Sequence, residues 1–191
     1  MTKLIYIHGF NSSSSSGKAR LIREALTNLD NPPDFVCPSL PDKPNHAISI
    51  LSETIKSETP DSVTLMGSSL GGFYATWLAN HFGCKAILIN PAITPHVDLR
   101  GYLGCQKNLY TQAEYNFTCQ HLVELEGLYV SNLLEYNLFF LMHTTGDDLL
   151  DWRVARSRYL HSQQLIVWGG DHGFSEFNRY LETVFKFAQI K

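Results

Sequence analysis

Val63-Thr-Leu-Met-Gly67-Ser68-Ser69-Leu70-Gly71-Gly72-Phe73-Tyr74-Ala75 runs from a short apolar strand through a G-x-S-x-G turn into a helix rich in small residues. A serine on so sharp a strand-to-helix turn has its hydroxyl pushed out at the carboxyl edge of the sheet, on a strained backbone that only small neighbours permit. Gly67 and Gly71 supply that clearance, and the frame selects Ser69, because Ser68 would need a glycine where Met66 stands. The helix beginning near Leu70 aims its N-terminal dipole at the site, which favours developing negative charge. Taken alone, the same letters also fit a plain Gly/Ser turn inside an α/β protein. The rest of the chain decides between the two.

Upstream, residues 3–7 form an apolar run in Leu, Ile and Tyr that reads as a buried parallel strand. It opens into His8-Gly9-Phe10-Asn11 and five serines, 12–16, before a helix over 17–28 whose inward face carries Leu21, Ile22, Ala25 and Leu26. A very short strand at 35–37, a proline-rich loop at 38–44 and a helix over 45–58 lead into the elbow. Downstream come a strand at 85–89 closed by Asn90-Pro91, then a strand at 138–142, a helix over 151–161, a strand at 165–168 and a last helix over 176–188. Strands and helices alternate, so the expected fold is α/β: a mostly parallel, doubly wound sheet of about six strands with helices on both faces. Residues 92–136 lose this rhythm and are expected to form a small helical cap inserted in one domain spanning 1–191. They hold five of the nine tyrosines, and their two basic against five acidic residues give no support to a strongly anionic head group.

With 191 residues, 44% hydrophobic and 17% charged, the chain is long enough to bury a real core and is of ordinary globular composition. A net charge of −3 and a pI near 6.2, with no Lys/Arg cluster, argue against a nucleic-acid partner. No segment approaches the roughly 20 apolar residues that span a bilayer, and the N-terminal apolar run ends at His8, too early for a signal peptide. Cys37, Cys84, Cys105 and Cys119 are scattered without a C-x-x-C pair, which suits reduced thiols and a cytoplasmic protein.

In doubly wound sheets ligands sit beyond the carboxyl ends of the strands. Four loops leave those ends with useful groups: His8-Gly9-Phe10, Ser69, Asp147-Asp148 and His172. Their order, serine then acid then histidine on successive loops, is that of the α/β-hydrolase arrangement. His172, between glycines after the last strand, is the expected proton carrier for Ser69. Asp147 is the expected acid, with its neighbour Asp148 as the alternative, since adjacent loop residues point differently. Asp151 reads as a helix cap and Asp171 as a loop or cap residue. The backbone N–H groups of Phe10 and Leu70 are the expected oxyanion donors, and His8 reads as an organiser of its loop. Gly9 to Gly17-Lys18 has the look of a phosphate loop, but seven residues separate the glycines where four are needed, and Ala19 stands where a Mg²⁺-binding hydroxyl is required. His8, His143, Asp147 and His172 lack the short ligand spacing of a metal site, so no metal or cofactor is expected.

These same residues carry a family resemblance. Tyr6-Ile-His-Gly-Phe-Asn-Ser-Ser13, Gly67-Ser-Ser-Leu-Gly-Gly-Phe-Tyr-Ala-Thr-Trp-Leu78, Asn90-Pro-Ala92, Thr145-Gly-Asp-Asp-Leu-Leu-Asp-Trp-Arg153 and Gly169-Gly-Asp-His-Gly-Phe174 together resemble the YqiA-type esterases, small bacterial members of the α/β-hydrolase superfamily. The resemblance implies a trimmed α/β-hydrolase fold and carboxylic-ester hydrolysis through Ser69, Asp147 and His172, extending to acyl thioesters. The expected partner is therefore a small-molecule ester or thioester. A binding protein that kept the fold without turnover is the reading from another class.

Overall fold

The structure is a computed structural model that describes residues 2–190. Six strands form one sheet: β1 (Lys3–Ile7), β2 (Asp34–Val36), β3 (Val63–Ser68), β4 (Lys85–Ile89), β7 (Phe139–Thr144) and β8 (Gln163–Val167), in the order β2-β1-β3-β4-β7-β8. Every neighbouring pair is parallel. The chain steps outward from β1 to β2, then returns to the other side of β1 with β3. That reversal creates a crevice at the carboxyl ends of β1 and β3, where neighbouring loops leave in opposite directions. The register aligns those ends, pairing Ile7 with Gly67, Ser68 with Ile89 and Ile89 with Met142.

Period-two alternation sorts the strand side chains between two layers. Ile5, Ile7, Leu65, Leu88, Phe139 and Leu141 face the layer of α2 (Pro44–Ile55), α3 (Leu70–Phe82) and α6 (Trp152–Arg158). Leu4, Tyr6, Met66, Ile87, Phe140 and Met142 face α1 (Gly17–Thr27) and α7 (Leu181–Phe187). Both faces are covered, which is why the central strands read as unbroken apolar runs. Each fully buried Leu or Ile here stabilises the fold by about 1.5–3 kcal/mol. The last helix is shorter than its sequence pattern suggests, because a 3₁₀ turn over Phe177–Tyr180 takes up the stretch before α7. Among the described residues no helix is long and apolar enough to cross a membrane, and all four cysteines are free thiols.

Residues 92–136, expected as a helical cap, are only partly helical. They contain the one-turn α4 (Pro95–Asp98) and α5 (Cys119–Gly127), but between these lies an antiparallel hairpin of β5 (Gly104–Lys107) and β6 (Glu114–Phe117). The hairpin turn is organised by Asn108, whose Oδ1 accepts from the N–H groups of Tyr110 and Thr111. It docks on the loop after β1. Tyr115 Oη donates to Asn11 Oδ1 at 2.6 Å, and Asn108 Nδ2 donates to the Ser12 carbonyl at 2.7 Å. The Phe10 ring meets Tyr102 and Phe117 edge to face. The hairpin thus fixes the loop that borders the crevice.

Candidate active site

Ser69 sits between β3 and α3 at φ 55°, ψ −120°, a strained conformation for a residue with a Cβ. Its backbone is held from all sides. Its N–H donates to the Ile89 carbonyl at 3.0 Å, and its carbonyl accepts from Gly72 N at 2.9 Å and Ala92 N at 3.1 Å. A Cβ at Gly67 would overlap the Gly71 carbonyl, and one at Gly71 would overlap the Ile7 carbonyl. No side chain fits at either place, so the two glycines are what lets β3 and α3 meet at this angle. Gly9 approaches less closely, though still tightly: a Cβ there would stand 3.2 Å from both the Ser69 Cβ and the Ser68 carbonyl oxygen.

The structure brings Ser69, His172 and Asp147 together from three loops. His172 Nε2 lies 3.1 Å from Ser69 Oγ, and His172 Nδ1 lies 2.8 Å from Asp147 Oδ2. An ionised carboxylate can only accept, so Nδ1 carries the ring proton and donates it to Asp147. Nε2 is then a free lone pair that accepts the Ser69 hydroxyl. The second oxygen, Asp147 Oδ1, accepts from the N–H groups of Leu149 and Leu150, each at 2.9 Å. Burial works to raise the Asp147 pKa, but the His172 hydrogen bond and these two amides outweigh it and hold the carboxyl below its ordinary value. Asp148, the alternative acid, is exposed. Asp151 caps α6 by accepting from Arg153 N at 2.9 Å, and Asp171 accepts from the Ser175 N–H and hydroxyl.

Leu70 opens α3, so its N–H belongs to the first-turn donors without an intrahelical acceptor. Phe10 and Leu70 both line a cleft of about 330 Å³ with Gly9, Asp42, Tyr74 and Glu114. A second cleft of about 540 Å³, which shares the Gly9–Phe10 loop as lining, is bordered by Ser69, His172, Lys18 and Tyr110. His8 organises its loop: Nδ1 lies 3.1 Å from the Gly9 carbonyl, and Leu40 N donates to Nε2 at 3.3 Å. Burial lowers its pKa. His143 is wholly buried on β7, with Nδ1 3.0 Å from the Thr144 carbonyl and Nε2 lacking a partner. Among the described residues no cluster of three or more His, Cys, Asp or Glu side chains is placed to hold a metal ion.

Asn90 is the residue whose position sequence reasoning missed. It is fully buried at φ 42° at the end of β4, and its Nδ2 donates to the carbonyls of Asp171 and His172, each at 3.0 Å. Its Oδ1 accepts from Thr144 N at 2.9 Å, and Thr144 Oγ1 donates to the Asp171 carbonyl at 2.9 Å. Asn90 thereby ties the histidine loop to the strand that leads to Asp147. The signal was a polar residue with turn propensity at the carboxyl end of a buried strand, immediately before Pro91.

A family described as UPF0227, an uncharacterised protein family, matches residues 3–189 of the chain. A UPF0227 protein of Pasteurella multocida is 29% identical over 197 residues, covering 97% of this chain and 99% of its own length. Among solved structures, Est1E of Butyrivibrio proteoclasticus is similar at a TM-score of 0.72 and 15% identity, covering 98% of this chain and 87% of that one. Mouse alpha/beta hydrolase domain-containing protein 10 is similar at a TM-score of 0.71 and 17% identity, covering 96% and 89%. At these identities the likeness establishes the α/β-hydrolase fold.

Proposed function

The chain belongs to the UPF0227 family, the YqiA-type proteins, and on that footing we propose that it is a serine esterase working through an acyl-enzyme. The observation that carries this reading is the single histidine bridging the Ser69 hydroxyl at 3.1 Å and a buried carboxylate at 2.8 Å. Ser69 Oγ attacks the ester carbonyl while His172 Nε2 takes its proton. The carbonyl oxygen becomes an oxyanion, held by the N–H groups of Phe10 and Leu70 at the positive end of the α3 dipole. Collapse breaks the bond to the alcohol, which leaves with the proton from His172. Water then gives a proton to the same nitrogen and attacks the acyl group, and the acid departs as Ser69 regains its hydrogen. Asp147 stays ionised throughout and stabilises the imidazolium. No step calls on a cofactor, and the free thiols suit a reducing cytoplasm.

Incubation with a fluorophosphonate followed by intact-mass measurement tests the nucleophile. One adduct on wild type and none on Ser69→Ala is the expected result; an equal adduct on both would overturn the assignment. Matched oxygen esters and thioesters of several acyl lengths, compared by kcat/KM, then set the leaving group.

A further inference from the structure

The larger cleft beside Ser69 has a charge character that the hydrolytic reading does not use. Lys18, rejected from a phosphate loop by its spacing, comes from the first turn of α1 to line this cleft together with Ser69 and His172. Its ammonium donates to the Gly173 carbonyl, one residue beyond the histidine, so it stands beside the reacting groups. An ammonium has three N–H donors; one is spent on that carbonyl. Among the described residues no carboxylate lies within ion-pair distance of it. Asp171, the acid whose field it feels, turns its carboxylate to Ser175. The remaining lining adds hydroxyls from Ser12, Ser16 and Ser175 and contains no Asp or Glu. Burial works against the charged form of Lys18, so an arriving anion would gain a partly desolvated cation.

The polarity reverses in the smaller cleft, which carries Asp42 and Glu114. The two clefts share Gly9, Phe10 and Ser12, so a substrate reaching from Ser69 into both would meet the lysine in one and carboxylates in the other, which orients any charged end. The acidic excess of residues 92–136 says nothing against this, because the cation comes from α1.

Resting on the esterase reading, we infer that the preferred substrates are esters or thioesters bearing a carboxylate or phosphate, held by Lys18 in the cleft beside Ser69. The test compares wild type, Lys18→Met and Lys18→Arg on charged and neutral esters of equal reach. On the acyl side these are 4-nitrophenyl hexanoate and its hemiadipate counterpart. On the alcohol side they are hexanoate esters of 1-butanol, 4-hydroxybutanoate and 3-hydroxypropyl phosphate. These arms tell which half carries the anion and which anion it is. The expected result is a kcat/KM preference for at least one charged ester of about 10- to 100-fold over its neutral counterpart. That ratio should collapse toward unity in Lys18→Met and persist in Lys18→Arg. Absence of any charged-ester preference, or a Lys18→Met loss shared equally by charged and neutral esters, would overturn the inference and leave Lys18 as a brace for Gly173. If no ester turns over and Ser69 takes no fluorophosphonate adduct, the esterase reading itself has failed and this inference falls with it.

Discussion

Asp147 places Oδ2 2.8 Å from His172 Nδ1 with its side chain fully buried, whereas a quarter of the His172 side chain remains exposed. The pair therefore fixes the ring tautomer from the inside while leaving Nε2 open to the cleft. Asp147→Asn would put an amide where a pure acceptor is required and favour the wrong tautomer. Its kcat should fall by about 10⁴-fold. Asp148→Asn, at an exposed position one residue on, should stay within a few-fold of wild type. Steady-state kinetics on one chromogenic ester decides between the two carboxylates, and the reverse order would move the acid to Asp148.

Asn90 acts on the same histidine through the backbone. Asn90→Ala would leave the His172 carbonyl and the Thr144 strand N–H without their buried partner, while the Asp171 carbonyl keeps the Thr144 hydroxyl and Phe174 N–H. We expect a loss of about 1–3 kcal/mol in urea unfolding. A misplaced ring should lower kcat by about 10²-fold with little change in KM, since the clefts proposed to take substrate are not lined by Asn90. A mutant as stable as wild type with normal kcat would remove Asn90 from this role.

The elbow, the strand order of residue types and the two flanking loops were legible because each has a local cause. Gly67 and Gly71 are dictated by backbone overlap, and the apolar runs of β1, β3, β4 and β7 by burial on both faces. The β5–β6 hairpin was not legible. Gly104-Cys-Gln-Lys and Glu114-Tyr-Asn-Phe are four residues each and mostly polar; their burial alternates, but of the inward positions only Phe117 is fully buried. Their turn lacks an Asn-Gly or Asp-Gly pair, and they are stabilised by contacts to Asn11 and Ser12 about a hundred positions away. Lys18 was read for spacing against a motif it does not fit, while its place in the cleft depends on how α1 packs beside the histidine loop. Such long-range placements have no signature in a window of sequence.

Close packing at the elbow predicts a sharp contrast among glycines. Gly71→Ala drives a methyl group into the Ile7 carbonyl, which is backbone of the interior strand β1 and cannot turn away. Destabilisation of at least about 1–3 kcal/mol, with loss of fluorophosphonate labelling at Ser69, is expected. Gly127→Ala, at the end of α5 with no atom within 4 Å of the new methyl, should be neutral or stabilising by up to about 1 kcal/mol. Urea midpoints of the two variants provide the comparison. Equal effects would mean that the elbow can relax around a side chain.

Stability should also depend on pH in two separate windows. Burial lowers the pKa of His8 and of His143, and for His143 it outweighs the Thr144 carbonyl and the Asp147 charge, which act in the opposite direction. Both rings are thus neutral in the fold at pH values where the unfolded chain, with its ordinary histidine pKa of about 6.5, begins to bind protons. The unfolded state then holds more protons than the native state, so unfolding free energy falls as pH drops below about 6.5. Asp147 also has a depressed pKa, but a carboxyl's contribution is intact above the unfolded value of about 3.9 and is lost only as pH falls further, through the folded pKa. Urea midpoints should therefore decline between pH 7.5 and 5, before Asp147 takes up its proton. His143→Phe, which fills the buried site without a titrating ring, should make that decline shallower and leave the steeper loss below about pH 4 in place. An unchanged slope between pH 7.5 and 5 would mean that His143 takes up its proton inside the folded protein.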